Sequence, residues 1–289
     1  MIQYNPRSWF GLIFKFHRSD TFRKMFWVLF FFAICTGLLA YAELHFQQLD
    51  IFSNSIQVHS LLGFVIALLL VFRTNTAYER WWEGRKNWGA LVNNSRNLAI
   101  KVNAIFSEND PIRARFKILI PNYVIAMKEH LREGVILEEL EETAFLPKSE
   151  LSKIKHIPNK IASFMYQELH TAYREKRLSG DQLITIDKEI KALTDIIGAC
   201  ERIKNTPIPF SYNLFIKKFI FIYTITLPFG LAHEFHYWTI PIATFVLYIL
   251  GSLELLAEEI EDPFGTDSND LPTDNLSLKI KENVAEILA

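Results

Sequence analysis

Few of the reactive side chains in this 289-residue sequence stand at spacings that would build a catalytic site. It contains no glycine-rich phosphate loop, no G-x-S-x-G turn and no C-x-x-C pair. The histidines of His233-Glu234-Phe235-His236 are three apart, whereas a zinc-binding helix needs them at i and i+4 to share a face. Together with Tyr237 and Trp238 they read as an interfacial belt. Glu258, Glu259, Glu261, Asp262, Asp267 and Asp270 make an acidic cluster. Its spacing does not match a Ca²⁺ loop, so a solvated helix end is the simpler reading, with Asp267 and Asp270 as the candidate metal ligands. Cys35 and Cys200 imply no disulfide framework, and no cofactor is expected.

Ion passage asks for a different pattern, of bulky and small apolar residues in register. Phe64, Leu68 and Phe72 recur every four residues and stack along one helix face, with Ser60 above them. Gly63 and Ala67 form a small-xxx-small stripe beside it, which lets another helix approach closely. Around a symmetric ring the bulky stripe would form apolar collars able to gate by dewetting. A lipid-facing or packed stripe has the same period, so periodicity leaves both readings open. Residues 73–89 follow at once, with Arg80-Trp81-Trp82 and with Trp81, Arg85 and Trp88 on one face, suited to Arg–aromatic stacking at a membrane boundary.

The elements that must carry these residues are membrane helices. Half the residues are hydrophobic, yet the mean hydropathy is only +0.11, an average in which long uncharged apolar runs are cancelled by a charged remainder. A crossing helix needs about 20 apolar residues, and spans are expected at 25–42, 52–72, 214–233 and 235–253, the third kinked or split by Pro228. Ala40-Tyr41-Ala42 looks like a signal-peptidase site, but the leader and the run are both too long for a signal peptide. None of the uncharged runs holds an Asp, Glu, Lys or Arg, which argues against a coupled transporter or proton pump. The formal charge of -1 gives no electrostatic reason to expect nucleic acid.

Arg7, Lys15, Arg18, Arg23 and Lys24 precede the first span, and Arg73, Arg80, Arg85 and Lys86 follow the second. The positive-inside rule then places both termini and the insert 73–213 in the cytoplasm. The insert reads as helical: one helix opens at Asp110-Pro111 and a second runs from His156 to Leu178, ended by Ser179-Gly180. A third is capped by Asp181, with an apolar face from Leu183 to Ile203. Thr206-Pro207-Ile208-Pro209 breaks the chain before the third span, and 254–289 form a cytoplasmic tail.

The stretch 73–89 also resembles the bestrophin family, particularly its bacterial branch. Two further segments agree, Asn205 to Tyr212 and Glu261 to Pro272, the latter with Pro263-Phe264-Gly265. The resemblance covers nearly the whole chain and implies a single channel unit over 1–289. In fold class that is an all-α integral membrane protein of four transmembrane helices, with long cytoplasmic extensions, in a bacterial inner membrane. It further implies a homopentamer around one pore lined by the second span. Anchored on Arg80-Trp81-Trp82, the family's three-residue neck falls on Phe64, Leu68 and Phe72, with Gly63 and Ala67 as packing contacts. Ile208 is the position expected to narrow the cytoplasmic mouth. The partners implied are permeant inorganic ions, lipid and further copies of the chain.

Bacterial relatives and the acids Glu254, Glu258 and Glu259 incline the expectation toward monovalent cations, with chloride as the alternative. The family's Ca²⁺ clasp would fall at 266–270, where acids stand at Asp267 and Asp270 but not between, so Ca²⁺ activation is not expected. A membrane-anchored interaction protein with a helical cytoplasmic domain is the reading from another class.

Overall fold

The structure, a computed structural model, describes residues 20–45 and 55–289. Arg7, Lys15 and Arg18 of the basic leader, and the expected start of the second span at 52–54, lie outside these residues. The described chain is helical: α1 (Asp20–His45), α2 (Ser55–Ile105), α3 (Pro111–His130), α4 (Lys148–Leu151), α5 (Ile157–Arg174), α6 (Gly180–Asn205), α7 (Phe210–Phe235), α8 (Thr239–Glu261) and α9 (Thr273–Ile287). It carries no strand among those residues, only an isolated bridge between Thr143 and Leu146. They group into two compact units.

The apolar unit comprises the described residues up to Arg80 together with Pro207–Glu261. Three helical stretches are long and apolar enough to cross a membrane: Thr21–His45, Gln57–Ile105 and Phe210–Glu261. The last is bent, since α7 stops at Phe235 and a 3-10 turn, His236–Trp238, leads into α8, with His236 at φ 50. At the far ends of α7 and α8 Lys217 Nζ lies 3.1 Å from Glu258 Oε1, so the helices run antiparallel as a hairpin. The expected span 214–233 falls in the first arm, whereas 235–253 begins at the end of α7, crosses the turn and enters the second, and Pro228 lies inside α7. Both arms pack on α1, where Met25 and Leu29 meet Leu247. Ile66 and Leu70 of α2 pack with Ile216, Ile220 and Leu250. Trp27, Phe31, Phe221 and Phe245 point outward, as side chains do when the solvent is lipid.

The polar unit comprises Trp81–Thr206 and Asp262–Ala289. Its core is that of a water-soluble helical domain: Trp88, Leu91 and Leu98 from α2 meet Phe116 and Leu119 of α3, Met165 of α5 and Ile190 of α6. α3 packs against α5 and α9, and α5 against α6. α3 begins as its sequence predicts, with Asp110 Oδ1 accepting the Ile112 N–H at 2.9 Å and Pro111 in the first turn.

Two boundaries differ from expectation. α5 ends at Arg174, not Leu178, because Lys176 turns left-handed at φ 59 and the Arg177 N–H returns to the Ala172 carbonyl. The cap of α6 is Ser179, not Asp181. The Ser179 hydroxyl accepts the Gln182 N–H and the Gln182 side chain accepts the Ser179 N–H, which satisfies two exposed donors at once. From Ile186 to Ile203 the predicted apolar face of α6 is buried.

Candidate functional site

The inward face of α2 in the apolar unit is marked by Ile66, Leu70, Arg73 and Ala77, all buried at helical spacing. Phe64, Leu68 and Phe72 occupy the opposite face at 68%, 47% and 56% exposure. Two phenylalanines and a leucine thus form a column that the described residues leave largely uncovered. Gly63 and Ala67 lie in different settings. A Cβ at Gly63 would come within 2.8 Å of the Tyr223 hydroxyl on α7, so glycine permits that close approach. Ala67 is exposed within the chain.

Behind Phe72 the arrangement changes from apolar to ionic. Arg73, 1% exposed, places Nη2 2.8 Å from Glu261 Oε2 and Nε 3.5 Å from Glu254 Oε2. Glu261 has further bonds: its Oε1 accepts the Ile208 N–H at 2.8 Å, and its carbonyl accepts Arg80 Nε–H at 3.1 Å. One glutamate thus joins the end of α8 to α2 and to the Pro207-Ile208-Pro209 break. Ile208, expected at the cytoplasmic mouth, is 7% exposed, the reverse of the three exposed positions on α2.

Four acids in the last turns of α8 are paired with bases in the same unit. Glu254 and Glu261 face Arg73, Glu258 faces Lys217, and Glu259 lies 2.8 Å from Lys24 Nζ. Three bases thus offset most of the charge of these four acids at short range, with Arg73 shared by two of them.

In the polar unit, the residues after Arg80 meet those after Glu261. The Trp81 indole N–H donates to the Asn269 carbonyl at 3.0 Å. A Cβ on Gly84 would stand 3.1 Å from Pro263 Cγ and 3.2 Å from the Phe264 ring, which is buried. Trp82 is exposed. The loop after Gly265 is braced by Asp270, whose Oδ2 accepts the Asp267 N–H at 2.6 Å. Burial pushes the Asp270 carboxyl up to about 6. Asp267, by contrast, is exposed. Trp81, Gly84, Pro263 and Phe264 are therefore packing partners, whereas Trp82 and Asp267 stay exposed.

The sequence reading missed Arg73 and Glu261 as a pair. A signal existed: Arg73 directly follows the exposed stripe but falls on the buried phase of the same helix, where a lone charge would be strongly destabilising. Nothing local identifies its partner, 188 residues away.

A family model described as Bacterial/Fungal Bestrophin protein matches residues 1–286. A Nostoc protein described as a "voltage-dependent anion channel-forming protein" is 34% identical over 97% of this chain and 92% of its own. A Synechocystis protein described in the same words is 35% identical over 82% of this chain and 79% of its own. Among solved structures, a crystal structure of a bacterial bestrophin homologue from Klebsiella pneumoniae matches at a TM-score of 0.85 and 27% identity, covering 92% of this chain and 99% of that one. With its long apolar helices, the chain is a membrane protein and belongs to the bestrophin family, in the bacterial and fungal group.

Proposed function

We propose that this chain is one subunit of a homopentameric ion channel, with the second membrane helix of each copy lining a single pore. The observation that carries the reading is the exposed column Phe64, Leu68 and Phe72, set opposite a buried face on a membrane-type helix. Five copies of that column would make three stacked apolar collars. Water and ions find no hydrogen-bonding partner at such collars, so a narrow neck empties and blocks current until it widens. Gly63, set against Tyr223, holds α2 close to α7, and exposed Ala67 offers a close-packing surface to the next copy. The family and its channel-named relatives favour passive conduction over enzymatic turnover.

The proposed topology has four crossings, in α1, the first part of α2, α7 and α8. Both termini, the insert and the tail then lie on the cytoplasmic side of a bacterial inner membrane. Arg73 and the Glu261 junction fall just below the neck and fix its inner end to α8. Ile208, buried in its own subunit, serves that junction through its N–H and is left out of the neck.

Anions are the proposed permeant class. An apolar neck does not choose a sign, the relatives are named for anion channels, and the acids that favoured cations are paired with bases. The cation expectation finds no support in those relatives, whose names fit the anion alternative better.

Purified protein in planar bilayers tests both levels. Unitary currents are expected, with a reversal potential under a KCl gradient displaced toward the chloride equilibrium potential. Displacement toward the potassium potential would overturn the sign while keeping the channel. The Phe64→Ala, Leu68→Ala, Phe72→Ala triple variant is expected to conduct with higher open probability. Silence in both proteins would favour a membrane-anchored interaction protein.

A further inference from the structure

Away from the proposed pore, the polar unit brings three metal-binding side chains together from the ends of three helices. His130 is the last residue of α3, His156 caps α5, and Glu201 lies in the last turns of α6. Their spacings in sequence are 26 and 45 residues, so no linear motif reveals them. His130 Nε2 lies 2.7 Å and His156 Nε2 2.9 Å from the same oxygen, Glu201 Oε1. The two imidazole rings lie tilted by 37° with centroids 4.5 Å apart. All three side chains are part-buried, at 24%, 30% and 28% exposure, so they are held in place yet open to an ion from water.

We propose that His130, His156 and Glu201 form a binding site for one divalent transition ion of the zinc class. Two imidazoles and a carboxylate match the protein ligands of zinc sites that keep one position for water. Mg²⁺ and Ca²⁺ prefer oxygen alone, and imidazole selects against them. Tetrahedral coordination with bonds of about 2.0–2.1 Å separates ligand atoms by about 3.3 Å, so each nitrogen needs to draw back from the carboxylate oxygen by only about half an ångström. Lys204 stands beside His130, but its ammonium donates to the His130 and Arg132 carbonyls and is thereby directed at backbone.

Both rings lose an Nε2 proton to Nδ1 on binding, since each Nε2–H donates to Glu201, and at His156 this displaces a helix cap. His156 Nδ1 accepts the Asn159 N–H at 3.2 Å, which keeps the ring proton on Nε2, where it donates to Glu201. A metal on Nε2 moves that proton to Nδ1, and the helix cap at Asn159 is given up for coordination. In return the ion staples α3, α5 and α6 at one point. The proposal is independent of whether, and for which ions, the chain conducts.

The test uses the full-length protein in detergent, stripped with chelator, titrated calorimetrically with ZnCl₂ and spectroscopically with CoCl₂. One Zn²⁺ per chain is expected, with visible Co²⁺ absorption of the tetrahedral type and a higher Tm on Zn²⁺ addition. His130→Gln and Glu201→Gln should each weaken binding at least about tenfold and abolish the Co²⁺ band. His156→Asn removes the imidazole but keeps a good helix cap, so it carries the test if the other variants fold poorly. Absence of Zn²⁺ binding overturns the proposal. So does binding that is unchanged in His156→Asn, which would place the ion elsewhere.

Discussion

The two units obey opposite rules of exposure with the same residue types. In the polar unit Phe116 is 0% exposed at the centre of a mixed helical core, whereas in the apolar unit Phe245 is 61% exposed. Charges do not reverse as a class, since the polar unit buries Lys128 against Glu129, but individual pairs differ. Arg73 of the apolar unit is buried with Glu261, while the Arg132–Asp274 pair of the polar unit sits at the surface with Asp274 more than half exposed. Location inside the chain therefore carries different meaning in the two. An outward phenylalanine is ordinary against lipid, and an inward arginine is tolerated only with its partners.

The sharpest way to break this contrast is to truncate one phenylalanine in each unit. Phe116→Ala should cost about 3–5 kcal/mol, as a cavity left in a closed core does. Phe245→Ala should stay within about 1 kcal/mol, since lipid replaces the lost contacts. Denaturant titration in detergent, with separate probes in each unit, would read both, and equal costs would erase the distinction between the two solvents.

Charge removal gives the next contrast. Glu261→Gln leaves Arg73 buried with Glu254 alone, at 3.5 Å and without the close Nη2 contact, and should cost about 3–5 kcal/mol. Replacing Arg73, Glu254 and Glu261 together with Met should recover most of it, because no buried charge is then left unpaired. Asp274→Asn, at the exposed pair, should cost no more than about 1 kcal/mol. Thermal unfolding of the three variants orders them, and a small loss in Glu261→Gln would mean that water already reaches Arg73.

The smallest effects lie in pH dependence within the polar unit. Arg132 donates to Asp274 at 2.6 Å and holds its carboxyl down at about 2. Its contribution is present above the ordinary carboxylate range and is lost as pH falls from about 4 toward 2. Asp270, pushed up to about 6 by burial, acts in the other direction: it binds its proton more tightly when folded, so stability declines as pH rises from about 4 to 6. Asp274→Asn should flatten the first slope and Asp270→Asn the second, measured as Tm against pH. The amide oxygen introduced by Asp270→Asn can still accept the Asp267 N–H, so the loop keeps its brace while losing its titration.

Much of the fold is legible from local pattern. Uncharged runs marked the apolar helices, Asp110-Pro111 marked the start of α3, and the period of Ile186, Ile190, Leu193 and Ile197 marked the buried face of α6. Each of these depends on a residue's own solvent preference or on neighbours within one turn. The same local logic failed at 174–181, where Lys176 took a left-handed turn that usually favours glycine and Ser179 outcompeted Asp181 as the cap. For the candidate site, the period of Phe64, Leu68 and Phe72 was readable, but whether they were covered was not.

Solvent preference and period are written along the chain, so element type, the apolar stripe and the family signatures followed from residue order alone. Partner choice is not written there. That Arg73 meets Glu261, that Gly84 admits Phe264, and that His130, His156 and Glu201 share one point all depend on helix ends brought together from distant segments. Only packing decides these, because a carboxylate or an imidazole carries no local mark of which group will face it.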